Sequence, residues 1–115
     1  MIIITATLSF SAESDRDAAV VASGVVQKAT RDDEPGCLAY CFAADPCEPL
    51  NIQVYELWTD ADSLAAHFEH PNYLSMVTAL RSNGLVNSDN RMYRTEDCGT
   101  VYDESGAFRR AALEN

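Results

Sequence analysis

The side chains best suited to proton chemistry fall between Glu34 and Tyr73, a stretch that holds both histidines and the only tryptophan of the chain. Glu56 and Trp58 alternate onto one face of an apparent strand, together with Ile52 and Val54. A carboxylate on so apolar a face needs a partner, or its burial is heavily penalised. An Arg of a neighbouring strand or subunit is one such partner. His67 stands three residues after Leu64 and next to Phe68 on the apolar stripe of an expected helix. Burial there keeps an imidazole neutral and usable as a base near pH 7. His70, just before Pro71, reads as a helix cap at the surface, and the run Asp32–Glu34 reads as a solvated helix end.

Other chemistries fit less well. Cys37 and Cys41 lie on one expected strand, about 13 Å apart and on the same face, whereas a disulfide needs Cα atoms within roughly 7 Å. With only Cys47 and Cys98 besides, the spacing lacks the paired knuckles of a zinc site, so no metal is expected. There is no glycine-rich phosphate loop and no haem-attachment motif, so no bound organic cofactor is expected. The 8 basic and 18 acidic residues leave a net charge of −10, which disfavours nucleic acid and anionic membranes as partners. Residues 1–80 carry 3 basic and 12 acidic side chains (−9), and residues 81–115 carry 5 and 6 (−1). Positive field must therefore come mainly from Arg81, Arg91, Arg94, Arg109 and Arg110. Met1–Phe10 is apolar but lacks the basic start of a secretory signal. A cytoplasmic location is expected, in which the cysteines remain thiols.

The elements that must position these groups follow from periodicity. Ile2–Phe10 reads as a strand, and Ser14-x-x-Asp17 as the capping box of a helix whose apolar stripe is Ala18, Val21, Ala22, Val25, Val26 and Ala29. Pro35-Gly36 ends that helix. Strands over 37–44 and 51–59 flank the proline-containing loop 45–49 and pair as a hairpin. Thr59-x-x-Asp62 opens a helix that His70-Pro71 interrupts, a second helical piece runs from Pro71 to Ser82, and Gly84 reads as its C-cap. A last strand covers 91–96, followed by a tail over 97–115 in which Phe108, Ala111 and Ala112 share one face if helical. The order β-α-β-β-α-β predicts a single α+β domain of ferredoxin-like type with an antiparallel sheet. Such a sheet leaves one face uncovered, and both faces of the third strand carry apolar groups, Tyr55 and Leu57 on one side and Ile52, Val54 and Trp58 on the other, so one set would be exposed and a homodimer is expected.

Several blocks within this frame resemble the antibiotic biosynthesis monooxygenase family, whose members are small dimeric α/β barrels. They are E-P-G-C-L-x-Y at Glu34–Tyr40, Y-E-L-W-T-D at Tyr55–Asp60, A-D-S-L-A-A-H at Ala61–His67 and H-P-N-Y at His70–Tyr73. The resemblance implies a cofactor-independent monooxygenase that uses O₂ as co-substrate on a quinol-like or polyketide-type aromatic, or a relative that has drifted to isomerisation or simple binding. The family pattern falls on Trp58, His67 and Tyr73. It implies His67 as base, Trp58 and Phe68 as walls for a planar ring, and Tyr73 as hydrogen-bond donor. Glu56, Arg91 and Arg94 complete the expected substrate-binding set, the arginines opposing negative charge. Two departures from the pattern stand out: Asn72 occupies a position where many relatives have histidine, and the first strand lacks the asparagine that marks the heme-degrading branch.

Overall fold

Period-two burial decides the layers. β1 (Ile2–Phe10) buries Ile4, Ala6, Leu8 and Phe10, and β3 (Asn51–Trp58) buries Ile52, Val54, Glu56 and Trp58. In a computed structural model describing residues 1–114, these strands pair antiparallel with β2 (Cys37–Ala44) and β4 (Leu85–Arg94) in the order β2-β3-β1-β4. Helices α1 (Glu13–Asp33), α2 (Ala61–Glu69) and α3 (Pro71–Arg81) complete the ferredoxin-like α+β fold. Leu64, Met76, Leu80 and Ala19 join the buried strand residues in one core. Ile3 and Thr5 of β1, Tyr55 and Leu57 of β3, Cys41 of β2 and Tyr93 of β4 lie on the other sheet face, cross-strand neighbours by register. Tyr55 and Tyr93 are about half exposed there.

Helix α1 departs from the expected amphipathic pattern. Its buried residues are Arg16, Ala19, Ser23, Gln27 and Thr30, whereas Val21 and Val25 are 81% and 80% exposed. The cause is the free edge of β2, whose backbone groups need partners. Gln27 supplies two: its Oε1 accepts from the Phe42 N–H at 2.9 Å and its Nε2 donates to the Phe42 carbonyl at 3.1 Å. Arg31 donates from Nε to the Tyr40 carbonyl at 2.7 Å. Arg16 clamps the β2–β3 loop through the carbonyls of Asp45, Glu48 and Asn51. Satisfying a strand edge outweighs burying a stripe of small apolar residues.

Other boundaries also move. No side chain caps α1, which starts after Ala12; Ser11 instead donates to Asp15 at 2.8 Å. The cap of α2 is Asp60, accepting from the Ser63 N–H at 2.7 Å, one residue beyond the expected Thr59. α3 is capped by Ser82 rather than Gly84, and Gly84, at φ +85°, turns the chain into a β4 that begins at Leu85 rather than at residue 91. A bulge in β2 between Cys37 and Ala39 changes the parity of the strand. Cys37 consequently pairs with Trp58 on the buried side and Cys41 with Tyr55 on the open side, so the two thiols do not share a face. The tail forms a turn closed by a Tyr102–Phe108 bridge and a short 3₁₀ segment at Arg110–Leu113, in place of the helix sketched from Phe108, Ala111 and Ala112. Among the described residues no helix is long and apolar enough to cross a membrane.

The edge clamp makes a stability prediction. Gln27→Leu keeps the volume but strips Phe42 of both partners, and should cost about 2–3 kcal/mol in urea denaturation. A midpoint unchanged from the native chain would remove the clamp from the account.

Candidate active site

The turn after α1 brings the chain back under α2. Gly36 accepts from the Thr59 N–H at 3.0 Å, and a Cβ on Gly36 would collide with the Ser63 side chain. This close approach requires glycine, and it carries Glu34, the residue capping α1, inward rather than into solvent. Glu34 is only 7% exposed. The solvated helix end expected for 32–34 thus holds for Asp32 and Asp33 but not for Glu34.

Glu34 meets His67. Its Oε1 lies 2.9 Å from His67 Nδ1, while its Oε2 accepts from Asn72 Nδ2 at 3.2 Å. His67 is 2% exposed and is the residue α2 buries along with Leu64. His70 ends α2 and caps α3, its Nδ1 accepting from the Asn72 N–H at 3.0 Å, with Pro71 at the first position of α3. Aromatic rings enclose His67: Trp58 at a centroid distance of 4.6 Å, Tyr40 at 5.4 Å, Phe68 at 5.6 Å and Tyr73 at 5.7 Å.

His67 borders a cavity of about 430 Å³ between the covered sheet face and the α2–α3 pair. Leu8, Phe42, Val54, Met76 and Leu80 supply apolar wall, and Glu56, Arg81, Ser88, Asn90 and Arg91 are among the polar residues around it. Of the residues singled out in the sequence, His67, Phe68, Tyr73, Glu56 and Arg91 line this cavity. Trp58 does not. It is fully buried behind His67, donates from Nε1 to Glu56 Oε1 at 3.0 Å, and borders a separate hollow with Glu34 and His70. Arg94 also stands outside the cavity, opposite Ile2 at the end of β4. Arg91 reaches the cavity wall, but its Nε is held by Asp89 at 3.1 Å, and register puts both residues on the open sheet face opposite Thr5 and Thr7. Arg81 is the cation left at the cavity without an ion-pair partner among the described residues. Sequence reasoning passed over Glu34 and Asn72.

The electrostatics are those of a buried anionic pocket. Burial, reinforced by the charge of Glu34 and opposed by the Trp58 hydrogen bond, pushes the Glu56 carboxyl up to about 7. Burial, then the charges of Glu34 and Glu56, push the Cys37 thiol up to about 11. Cys37 therefore stays a thiol and offers no nucleophile at neutral pH. Burial and both carboxylates likewise raise the Tyr40 phenol well above its usual range. Glu56 can hold a proton near neutral pH, and the site opposes uncompensated negative charge.

Glu56 gives a pH prediction whose sign is fixed. Its native value of about 7 exceeds the ordinary 4.5, so the folded state binds the extra proton and stability falls as pH rises between these two values. Glu56→Gln, which retains an acceptor for Trp58, should stabilise the protein by about 2–4 kcal/mol at pH 8. The gain should fade towards pH 4.5. Denaturation curves at pH 5 and pH 8 check this, and an equal effect at both pH values would contradict it.

Known proteins share this frame. The protein matches a candidate antibiotic biosynthesis monooxygenase from Caulobacter crescentus with a TM-score of 0.75 at 19% identity, covering 84% of this chain and 90% of the other. A second candidate monooxygenase, from Deinococcus radiodurans, matches with a TM-score of 0.71 at 22% identity over 90% of this chain and 100% of the other. SnoaB from Streptomyces nogalater, described as a cofactor-independent oxygenase, matches with a TM-score of 0.62 at 15% identity, over 84% of this chain and 93% of SnoaB. At these identities the likeness is one of fold. No curated protein matches the sequence. The profile of the family described as antibiotic biosynthesis monooxygenase matches residues 1–79, from β1 through most of α3 and including Glu34, Glu56, Trp58, His67 and Tyr73, and the chain belongs to that family.

Proposed function

We propose that the protein is a cofactor-free monooxygenase that oxidises a quinol-like or polyketide-type aromatic with O₂. The observation that carries this reading is His67, tethered through Nδ1 to Glu34 and bordering a cavity with largely apolar walls. An electron-rich hydroxyaromatic or anthrone reduces O₂ itself once deprotonated, so the protein must remove a proton, hold the ring and exclude water. His67 is the base. Phe68 and Tyr73, edge to face with centroids 5.0 Å apart, pack the ring. The Tyr73 hydroxyl has no hydrogen-bond partner among the described residues and serves as donor to the substrate oxygen. Trp58 supports His67 from behind and anchors Glu56. Arg81 takes the charge-stabilising role expected of Arg91 and Arg94. A neutral substrate suits the site, because its anion forms only as its proton passes to His67. The description of SnoaB as cofactor-independent supports the assignment of no cofactor.

A second reading rests on one observation: His67 and Glu56 are two proton-transfer groups bordering one cavity. That pairing suits an isomerase, which would turn over without consuming O₂. In both readings the protein works in the cytoplasm as a homodimer, a second copy covering the sheet face that carries Ile3, Tyr55, Leu57 and Tyr93.

Oxygen uptake with a panel of quinols and anthrones should fall about 10²- to 10⁴-fold in His67→Ala. An undiminished rate in the folded variant would end the base assignment, and turnover without uptake would favour the isomerase. Light scattering should give twice the chain mass of 12.6 kDa. A species at the single-chain mass would overturn the homodimer.

A further inference from the structure

A buried imidazole serves as a base at Nε2 only if its hydrogen sits on Nδ1, and the structure contains a device that selects that tautomer. Glu34 Oε1 lies 2.9 Å from Nδ1, and the other oxygen of the same carboxylate accepts from Asn72 Nδ2 at 3.2 Å. Nε2 makes no hydrogen bond to the described residues. The pair also borders two different spaces. His67 lines the cavity, whereas Glu34 lines the hollow shared with Asp33, Thr59, Asp62 and His70.

We infer that Glu34 is a positioning residue that holds His67 in its Nδ1–H tautomer and stores the substrate's proton during turnover, with Asn72 fixing the carboxylate. This rests on the base role proposed for His67. When Nε2 takes a proton from the substrate, Nδ1 passes its own to Glu34. The result is a neutral imidazole protonated at Nε2, a carboxylic acid at Glu34 and a substrate anion. The anion reacts with O₂ to a peroxide, which expels hydroxide and leaves the oxidised product. That hydroxide takes the Nε2 proton to become water, and Glu34 returns its proton to Nδ1. No proton is gained or lost, and the imidazolium need not persist next to the aromatic walls.

Among the described residues Glu34 pairs with no Lys or Arg. Glu56 from β3, and Cys37 and Tyr40 from β2, feel its charge. Asp33, Asp62 and His70 share its hollow, and the nearby Arg31 guanidinium is engaged by the Tyr40 carbonyl. The resting charge is therefore held by two hydrogen bonds rather than by a fixed cation. Accepting a proton removes a repulsion with Glu56.

Nitrogen-15 NMR of the imidazoles tests the tautomer without any substrate. The chain has two histidines that act as opposite standards. His70, whose Nδ1 accepts from the Asn72 N–H, should be the Nε2–H form, and His67 the Nδ1–H form. Finding native His67 as the Nε2–H form would overturn the inference. Glu34→Gln should abolish that preference, lower kcat for oxygen uptake on the order of 10- to 100-fold with little change in KM, and shift its pH profile. Glu34→Asp should restore part of the rate. A folded Glu34→Gln with native rate and profile would also overturn the inference, even with His67→Ala inactive. An active His67→Ala would instead overturn the base role and the proton store together, while the tautomer assignment would stand on the spectra alone.

Discussion

One buried hydrogen bond, between His67 Nδ1 and Glu34 Oε1, organises the half of the molecule that holds the cavity. It joins the residue that ends α1 to the middle of α2, and through Asn72 it reaches the first turn of α3. Removing a carboxylate from water is costly, and a single partner rarely offsets that cost. Here two donors meet the two oxygens, and the Gly36 approach beneath Ser63 fixes the direction from which the carboxylate arrives. Breaking the bond would leave a buried charge facing Glu56, so the turn, the helix pair and the cavity wall depend on one another.

The second constraint is the sheet. Four strands with helices on one side leave a face that carries Ile3, Tyr55, Leu57 and Tyr93 and an edge at β2. The protein treats the two differently. The edge is closed within the chain by Gln27 and Arg31, whereas the face is left with apolar groups. The division extends to the cavity. His67 and the aromatic groups around it lie within the part of the chain that matches the family, residues 1–79, while Arg81, Ser88, Asn90 and Met92 lie beyond it. The cavity's arginines and its Ser88 and Asn90 thus come from the part of the chain outside the family match, and Glu56 from within it.

Much of this was legible before any coordinates. The strand at Ile2–Phe10, the alternation in β3, the Pro-Gly turn, the break at His70-Pro71 and the burial of His67 are local properties, and each stands where the sequence put it, whereas Phe68 is left half exposed. The misreadings share a cause. The apolar stripe of α1 has the right spacing for a core face, yet the unpaired edge of β2 made hydrogen bonding the stronger demand. The bulge at Leu38 reversed the parity of Cys37, since inserting one residue flips a strand's faces. Arg91 borders the cavity, but its register opposite Thr5 directs its side chain to Asp89.

The sequence by itself determined the class of fold, the element order and the cluster of candidate residues, because hydrophobic period and turn chemistry act over a few residues at a time. It also determined which residues carry the family resemblance. Only the tertiary structure decided which of them share a cavity. It set Trp58 behind His67 rather than in the wall, moved Arg94 out of reach and made Glu34 a buried partner instead of a solvated helix end. Those outcomes depend on contacts between residues tens of positions apart, such as Glu34 with His67 and Asn72. No local pattern encodes a contact that forms only when the α1 turn and the α2–α3 pair meet against the same sheet.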